Sequence, residues 1–173
     1  MSDRPIPLSD EEQTQLALLL SRMESPLRPD VFYALVHSTV SVALELVVFD
    51  AEGKILLEYR KDTEYDGFAL PGTVLRNNED VSSAMKRLLE TEVKSKTSNP
   101  VSLGWLEIQK GAQADQDRYR HYIPLLYACK MEARYEGSGE FFAYDSFPEN
   151  TLSHEKMIIE EVVRRLKESS EPL

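Results

Sequence analysis

The sequence has little of what disulfide-linked, zinc-binding or membrane-spanning proteins require. Cys129 is its only cysteine, which excludes an intrachain disulfide and a cysteine-rich zinc site. The longest apolar run, residues 40–49, is interrupted by Glu45 and is far shorter than the ~20 residues of a membrane helix. The first residues are acidic and polar and lack the apolar segment of a signal peptide. We therefore expect a protein of the reducing cytoplasm with no membrane partner.

Basic residues are also scarce. The 20 Lys and Arg residues face 30 Asp and Glu residues, which gives a formal net charge of -10. This charge repels nucleic acids at long range, so the composition predicts no nucleic-acid partner. A few well-placed arginines can nevertheless bind a small phosphate ligand. The length of 173 residues predicts one domain with an appended segment.

Residues 1–30 are predicted to form a helical extension. Ser9 precedes three acidic residues, a pattern typical of a helix N-cap and its first turn. Four apolar residues then recur at helical spacing: Leu16, Leu19, Leu20 and Met23. Pro26 and Pro29 are expected to end the helix. Its apolar side predicts either packing on the main domain or a homodimer contact.

Residues 31–173 are predicted to form the main domain. Strand-like segments occupy residues 39–50, 54–60, 68–72, 101–109 and 118–133, and helices are predicted at 80–93 and after Ser153, which is expected to be the N-cap. Because these elements do not alternate regularly, we expect an α+β fold in which a mixed sheet lies between helices. Pro124 predicts that its strand is either at an edge or bulged.

The predicted helix at 80–93 offers one candidate metal ligand. Leu88, Thr91 and Glu92 stand at positions i, i+3 and i+4, so they are expected to converge on one side. A hard divalent cation prefers carboxylate oxygens, which only Glu92 supplies there. Backbone carbonyls of residues 70–72, just before the helix, are further candidate ligands.

The segment from Gly72 to Lys94 resembles a Nudix box, whose pattern is G-x5-E-x7-R-E-U-x-E-E-x-G-U with U a bulky aliphatic residue. Gly72 matches the first glycine and Arg87 the arginine, with one residue inserted between them. Either Asn78 or Glu79 then takes the place of the first glutamate.

The second half of the box departs from this pattern. Leu88 and Thr91 replace two glutamates, Lys94 replaces the last glycine, and Glu92 matches the final glutamate. The sequence RLLETE at residues 87–92 is similar to the R-L-x-x-A-E of GDP-mannose mannosyl hydrolases, and the wider resemblance covers roughly residues 31–168.

The resemblance implies a Nudix-like α/β/α sandwich that uses Mg²⁺ or Mn²⁺ to hydrolyse a nucleoside diphosphate derivative, with a GDP-sugar as the substrate of that branch. It implies that Glu92 and the carbonyl of Gly72 bind the metal and that Arg60 contacts the diphosphate. The branch has a Gln-His pair in the loop that here reads ARYEGSGE, so Glu136 is the nearest candidate base. Glu45 stands where the branch has an aspartate.

Other charged residues have two interpretations each. Arg87 either binds phosphate and orients a carboxylate or forms a structural ion pair. His121 is either a base or an ordinary strand histidine, and Arg120 belongs either to a phosphate-binding ridge or to a solvated edge. Glu45 is flanked by apolar residues, so it is either paired with an arginine or functional, as a substrate contact.

Two functions of different classes remain open. The first is a metal-dependent hydrolase with a small-molecule nucleotide substrate. The second is a catalytically inactive Nudix-fold module that binds a nucleotide or a protein, which the lost box carboxylates and the missing loop histidine favour. Fold alone does not decide between them.

Overall fold

The computed structural model describes residues 7–24, 26–62, 65–109 and 121–169. In these parts the chain forms the following elements: α1 Asp10–Leu20, α2 Pro29–Ser38, β1 Ser41–Phe49, β2 Ile55–Lys61, β3 Asp66–Ala69, β4 Gly72–Val74, α3 Val81–Leu88, a π turn Leu89–Val93, β5 Val101–Trp105, β6 Tyr122–Lys130, β7 Glu140–Phe142 and α4 Ser153–Glu168. None of the described helices has the length and apolar character needed to cross a bilayer.

The strands form one mixed sheet. Its order is β3-β2-β1-β6-β5, while β4 pairs with β1 and β7 pairs with β2. The central strands β1 and β6 are parallel, and the other pairs are antiparallel. The predicted hairpin joins β1 to β2 through a turn in which Gly53 has a φ of 79°, a conformation that glycine adopts without steric cost.

The core lies on both faces of β1 because alternate side chains point to opposite sides of a sheet. Leu44, Leu46 and Val48 pack with residues of α3, and Ala43 and Val47 pack with residues of α4. The sheet is therefore sandwiched between helices, which confirms the predicted α+β architecture. Glu45 lies on the α4 side and is also buried.

Pro124 lies in an inner strand of the sheet. The strand β6 lies between β1 and β5, so the prediction of an edge strand is wrong. The alternative prediction, a bulge in the strand of Pro124, is also wrong, because β6 pairs with β1 in continuous register from Tyr122 to Lys130. A register shift lies beside the proline, but three residue steps in β5, from Ser102 to Trp105, face two in β6, so the extra residue belongs to β5.

The helix ends match the sequence in one case and differ in two. The predicted cap of α1 is confirmed, because Ser9 and Glu12 form a capping box. The predicted cap of α4 is wrong, because Ser153 is its first helical residue and Leu152 is the N-cap. Helix α2 was not predicted, since Pro29 was interpreted as a helix end although proline also favours the first helical position.

The N-terminal region has two unlike helices. All residues of α1 are described and none is buried, so the part of the chain that the structure describes does not cover this helix, and the homodimer contact stays a prediction. Helix α2 buries Val36 and places Phe32 and Tyr33 beside a cavity. The predicted boundary between residues 30 and 31 falls inside α2.

Candidate functional site

An ion pair between Glu79 and Arg87 fixes the loop that precedes α3. Arg87 donates from Nε and Nη2 to the two carboxylate oxygens of Glu79, at 2.8 and 2.7 Å. These bonds hold the pKa of Glu79 at about 2, well below its usual value. Arg87 also donates to the Thr73 hydroxyl at 2.5 Å and to the Val74 carbonyl at 3.1 Å. Arg87 therefore ties β4 and the loop to the helix.

This pairing identifies the counterpart of the first glutamate in the box. Glu79, not Asn78, bonds the box arginine. Asn78 has a φ of 59°, a left-handed conformation that asparagine tolerates better than most residues. Seven residues then separate Glu79 from Arg87, as in the family pattern, so the extra residue lies between Gly72 and Glu79.

The end of the box helix is a π turn, which changes the direction of its side chains. Leu88 is fully buried in the core, and Thr91 is exposed with its hydroxyl donating to the Arg87 carbonyl at 2.8 Å. The convergence of Leu88, Thr91 and Glu92 predicted from α-helical spacing is therefore wrong, since a π turn follows a different period. Lys94 ends the turn at φ 52°, ψ 23°, the left-handed conformation that suits the glycine of the family pattern.

Two carboxylates approach Gly72 from different elements. The Gly72 amide donates to Glu92 Oε2 at 3.0 Å. Gly72 is also the partner of Glu45 in the antiparallel pairing of β4 with β1. A Cβ atom at Gly72 would lie 2.5 Å from Glu45 Oε2, so only glycine permits this approach. The pairing of β4 and the π turn thus bring Glu45 and Glu92 to one corner.

This corner, which we call the Gly72 corner, opens into a cavity of about 200 Å³. The carboxylates of Glu45, Glu92 and Glu155 line the cavity together with Arg60. Even with His154 charged, carboxylates outnumber cations among the described lining residues. A diphosphate can therefore enter favourably only in company with additional positive charge.

Burial dominates the electrostatics of Glu92. It raises the pKa of this carboxyl, and the charge of Glu58 adds to the shift, while the Gly72 amide and Arg60 oppose it. The site therefore holds a carboxylate whose charge is poorly compensated within the protein. Such a group is expected to bind a cation.

Arg60 lines the same cavity. Its guanidinium carbon lies 4.5 Å from the centre of the Tyr65 ring, and its ion pair with Asp62 is long, at 3.6 Å. Burial alone lowers the pKa of Arg60, but Tyr65, Glu92 and Asp62 raise it overall. The side chain is 42% exposed, so its remaining N–H groups are accessible to a ligand.

The residues present fit a magnesium-type ion that is bound jointly with a ligand. Among the residues that the structure describes, no group of three His, Cys, Asp or Glu side chains could hold a metal by itself. Magnesium, however, is usually bound by one or two carboxylates together with waters and substrate phosphates. Glu45 and Glu92 at the Gly72 corner provide such a pair.

The remaining predicted site residues lie elsewhere. The His121 Nε2 atom is 3.1 Å from Glu107 Oε1, and Glu136 is exposed with its amide donating to Ser95. Both residues are described, and neither is part of the cavity lining. Arg120 lies outside the described residues. Of the predicted set, the structure brings together Glu45, Arg60, Gly72 and Glu92.

The wall of the cavity formed by α2 and α4 was not predicted from the sequence. Phe32 and Tyr33 come from the unpredicted helix α2. His154 and Glu155 come from the first turn of α4, and both are only 4% exposed. A glutamate in a first turn normally indicates an exposed partner for the helix dipole, so no signal in the sequence pointed to its burial.

Several solved structures with a similar fold are named as Nudix proteins. A MutT Nudix hydrolase from Burkholderia pseudomallei is 21% identical, with a TM-score of 0.54 over 72% of this chain and 98% of that chain. A UDP-X diphosphatase is 20% identical, with a TM-score of 0.57 over 91% and 80% of the two chains. The Nudix domain of Shewanella oneidensis NrtR, complexed with ADP ribose, is 15% identical, with a TM-score of 0.55 over 87% and 97%.

These similarities define the fold of the chain as the Nudix fold. Neither the protein-family models nor the curated proteins contain a match to the sequence.

Proposed function

We propose that this protein is a Nudix-type hydrolase that uses Mg²⁺ or Mn²⁺ to cleave a nucleoside diphosphate derivative. The observation that carries the proposal is the Gly72 corner, where Glu45 and Glu92 approach one glycine beside a cavity that also contains Arg60. Two carboxylates suit a cation that arrives with phosphate, and a guanidinium suits the phosphate itself.

Each residue has a distinct role in this proposal. Glu92, Glu45 and the Gly72 carbonyl would hold the metal, which when bound supplies positive charge to the diphosphate. Arg60 donates to the diphosphate oxygens from the side of β2. Arg87 acts indirectly, because its bonds to Glu79, Thr73 and Val74 keep the loop beside Gly72 in place.

The similar structures support this substrate class without defining it. One is named a diphosphatase of UDP-X, and another contains ADP ribose, and both ligands are nucleoside diphosphate derivatives. Within the class, the resemblance of RLLETE to the mannosyl hydrolases makes GDP-sugars the first compounds to test.

The test is a turnover screen with Mg²⁺ and Mn²⁺ against nucleoside diphosphate sugars, dinucleotides and nucleoside triphosphates. We expect Glu92→Gln to reduce turnover on the order of 10²-fold, because a neutral amide is a poor ligand for a hard cation. Glu90→Gln is the matched control, since Glu90 is an exposed carboxylate two residues away that pairs only loosely with Lys86, at 3.9 Å. Equal activity of the Glu92 and Glu90 variants would contradict the proposed role.

A second candidate function is a ligand-binding module without hydrolysis. The specific observation in its favour is the loss of box carboxylates. Leu88 and Thr91 stand where the family pattern has glutamates, so Glu92 is the carboxylate that the box helix contributes to the cavity, while Glu79 is bound to Arg87. The NrtR domain complexed with ADP ribose is a structural neighbour in a ligand-bound state. Nucleotide binding by calorimetry, without product under either metal, would favour this candidate. A failure to bind any nucleotide would direct the search to protein partners.

A further inference from the structure

We propose that the base of a nucleoside diphosphate stacks on Phe32 while its diphosphate lies at the Gly72 corner. The inference rests on the proposed function and deepens it, because it names the residue that would distinguish a nucleotide from a bare diphosphate. It is carried by the place of Phe32 in the cavity wall and by the way in which α2 packs.

Helix α2 is fixed to the domain by residues other than Phe32. Val36 is 5% exposed, and Tyr33 packs against the small core cluster around Tyr65. Phe32 is half-buried and belongs to none of the core clusters formed by the described residues. Its ring meets that of Tyr33 at an interplanar angle of 66°, with ring centres 5.4 Å apart. The ring is thus held in place while part of its surface stays accessible, as a stacking platform requires.

Phe32 lies at the side of the cavity that is reached by following β4 from the Gly72 corner. The cavity shares three lining residues with a neighbouring groove, and these are Phe32, Thr73 and Val74. Gly72 itself does not line the groove, so the shared side begins beyond it. Val74 follows Gly72 by two residues in the extended strand, which corresponds to about 7 Å. A ribose bridges a comparable distance between a diphosphate and its base.

The size of the cavity places the base at its rim. Sites that enclose a small molecule usually measure about 300–1,000 Å³, whereas this cavity measures about 200 Å³. A nucleoside diphosphate that enters it with the diphosphate must therefore leave its base near the half-exposed lining residues. Among the lining aromatic residues, Tyr65 is only 4% exposed and already has the Arg60 guanidinium over its ring. Phe32 is the aromatic residue that remains for the base.

Stacking on a phenyl ring selects for a base without selecting which one. Every nucleobase has a π face, so the contact tolerates adenine, guanine and uracil alike. The ring is uncharged, so its contribution adds to the binding of the diphosphate but does not replace the cation that the acidic corner needs. We therefore expect nucleoside diphosphates to bind more tightly than pyrophosphate, with little preference among the bases.

The first experiment compares nucleotides with pyrophosphate in Phe32→Ala. Calorimetry is performed with Mn²⁺ and ADP, GDP or UDP, and separately with Mn²⁺ and pyrophosphate, which has no base to stack. We expect the dissociation constants of the nucleotides to rise by about 5- to 150-fold, and that of pyrophosphate to stay within about threefold of wild type. Tyr144→Ala is the matched control, since Tyr144 is an aromatic residue that is 46% exposed and lines neither cavity nor groove. It should bind both kinds of ligand as the wild type does.

Two further substitutions separate stacking from folding. Phe32→Trp keeps an aromatic face, so we expect it to bind the nucleotides at least as tightly as about threefold weaker than wild type. Phe32→Leu keeps apolar bulk without a π face, so we expect it to weaken the nucleotides at least about fivefold. Thermal unfolding by circular dichroism establishes that each variant is folded at the temperature of the titration.

The outcomes distinguish this inference from the proposed function. Unchanged nucleotide affinity in Phe32→Ala overturns the inference and leaves the proposed function intact. Equal weakening of nucleotides and pyrophosphate also overturns it, since Phe32 would then have a structural role. A change of oligomeric state in sedimentation, with unaltered nucleotide affinity, would assign Phe32 to a contact between copies of the chain and overturn it as well. A wild-type protein that neither binds nor hydrolyses any nucleotide overturns the proposed function and the inference together.

Discussion

The ion pair between Glu79 and Arg87 is predicted to be a major source of local stability. The pair has two charge-assisted hydrogen bonds, of 2.8 and 2.7 Å, and its side chains are only 14% and 19% exposed, respectively. Hydrogen bonds to charged groups contribute about 1.5–3 kcal/mol each. The depression of the pKa of Glu79 from 4.5 to about 2 corresponds to about 3 kcal/mol. We therefore expect a coupling energy of about 2–3 kcal/mol.

The measurement is a double-mutant cycle with Glu79→Ala, Arg87→Ala and the double variant, by urea denaturation at pH 7. Far-UV circular dichroism is the suitable probe, because the single tryptophan, Trp105, is 59% exposed. The control is the exposed pair of Lys86 and Glu90, whose long contact of 3.9 Å is expected to couple by less than about 0.5 kcal/mol. A similarly small coupling for Glu79 with Arg87 would refute the reasoning.

The same pair predicts a direction of pH dependence. The folded-state pKa of Glu79 is depressed, so its contribution is fully present above the unfolded value of 4.5 and is lost as the pH falls towards about 2. Between these limits the wild-type protein should lose free energy of unfolding more steeply than Glu79→Gln. Parallel pH profiles of the two proteins would contradict the assigned pKa shift.

Two further substitutions test the backbone of the site. Gly72→Ala places a methyl group 2.5 Å from Glu45 Oε2. We therefore expect the free energy of unfolding, measured by urea denaturation, to fall by about 1–3 kcal/mol, and the Mn²⁺ affinity, measured by calorimetry, to weaken at least about tenfold. Unchanged Mn²⁺ binding would contradict the assignment of the Gly72 corner as the metal site. Lys94→Gly removes the steric cost of a φ of 52°. We expect this variant to raise the free energy of unfolding by about 0.5–1 kcal/mol in the same assay. A less stable variant would show that the Lys94 side chain makes a favourable contribution that outweighs this cost.

The layers of the fold could be predicted because they depend on local periodicity. The apolar, β-branched run on both sides of Glu45 indicated a strand. Ala84, Met85 and Leu88 recur at helical spacing, and the structure places all three in the core. These patterns report directly which side chains leave water. Helix α2 was missed because proline at position 29 is compatible with both the end and the start of a helix.

The site was only partly predictable, because it depends on contacts between distant elements. The family resemblance pointed to Glu92 and Gly72, but α-helical spacing gave the wrong neighbours for Glu92 because a π turn has no clear sequence signature. The burial of Glu155 follows from the packing of α4 against the sheet, not from its local sequence. Tertiary packing, rather than propensity, thus decides which carboxylates face the cavity.

The most direct test of the central claim is a crystal of the protein grown with Mn²⁺ and a nucleoside diphosphate, measured for anomalous scattering. The proposal predicts a manganese peak at the Gly72 corner, within about 2.5 Å of carboxylate oxygens of Glu45 and Glu92 and of a phosphate oxygen. A nucleotide bound in the cavity without manganese at these carboxylates, or manganese bound elsewhere, would contradict the proposed metal-dependent hydrolase.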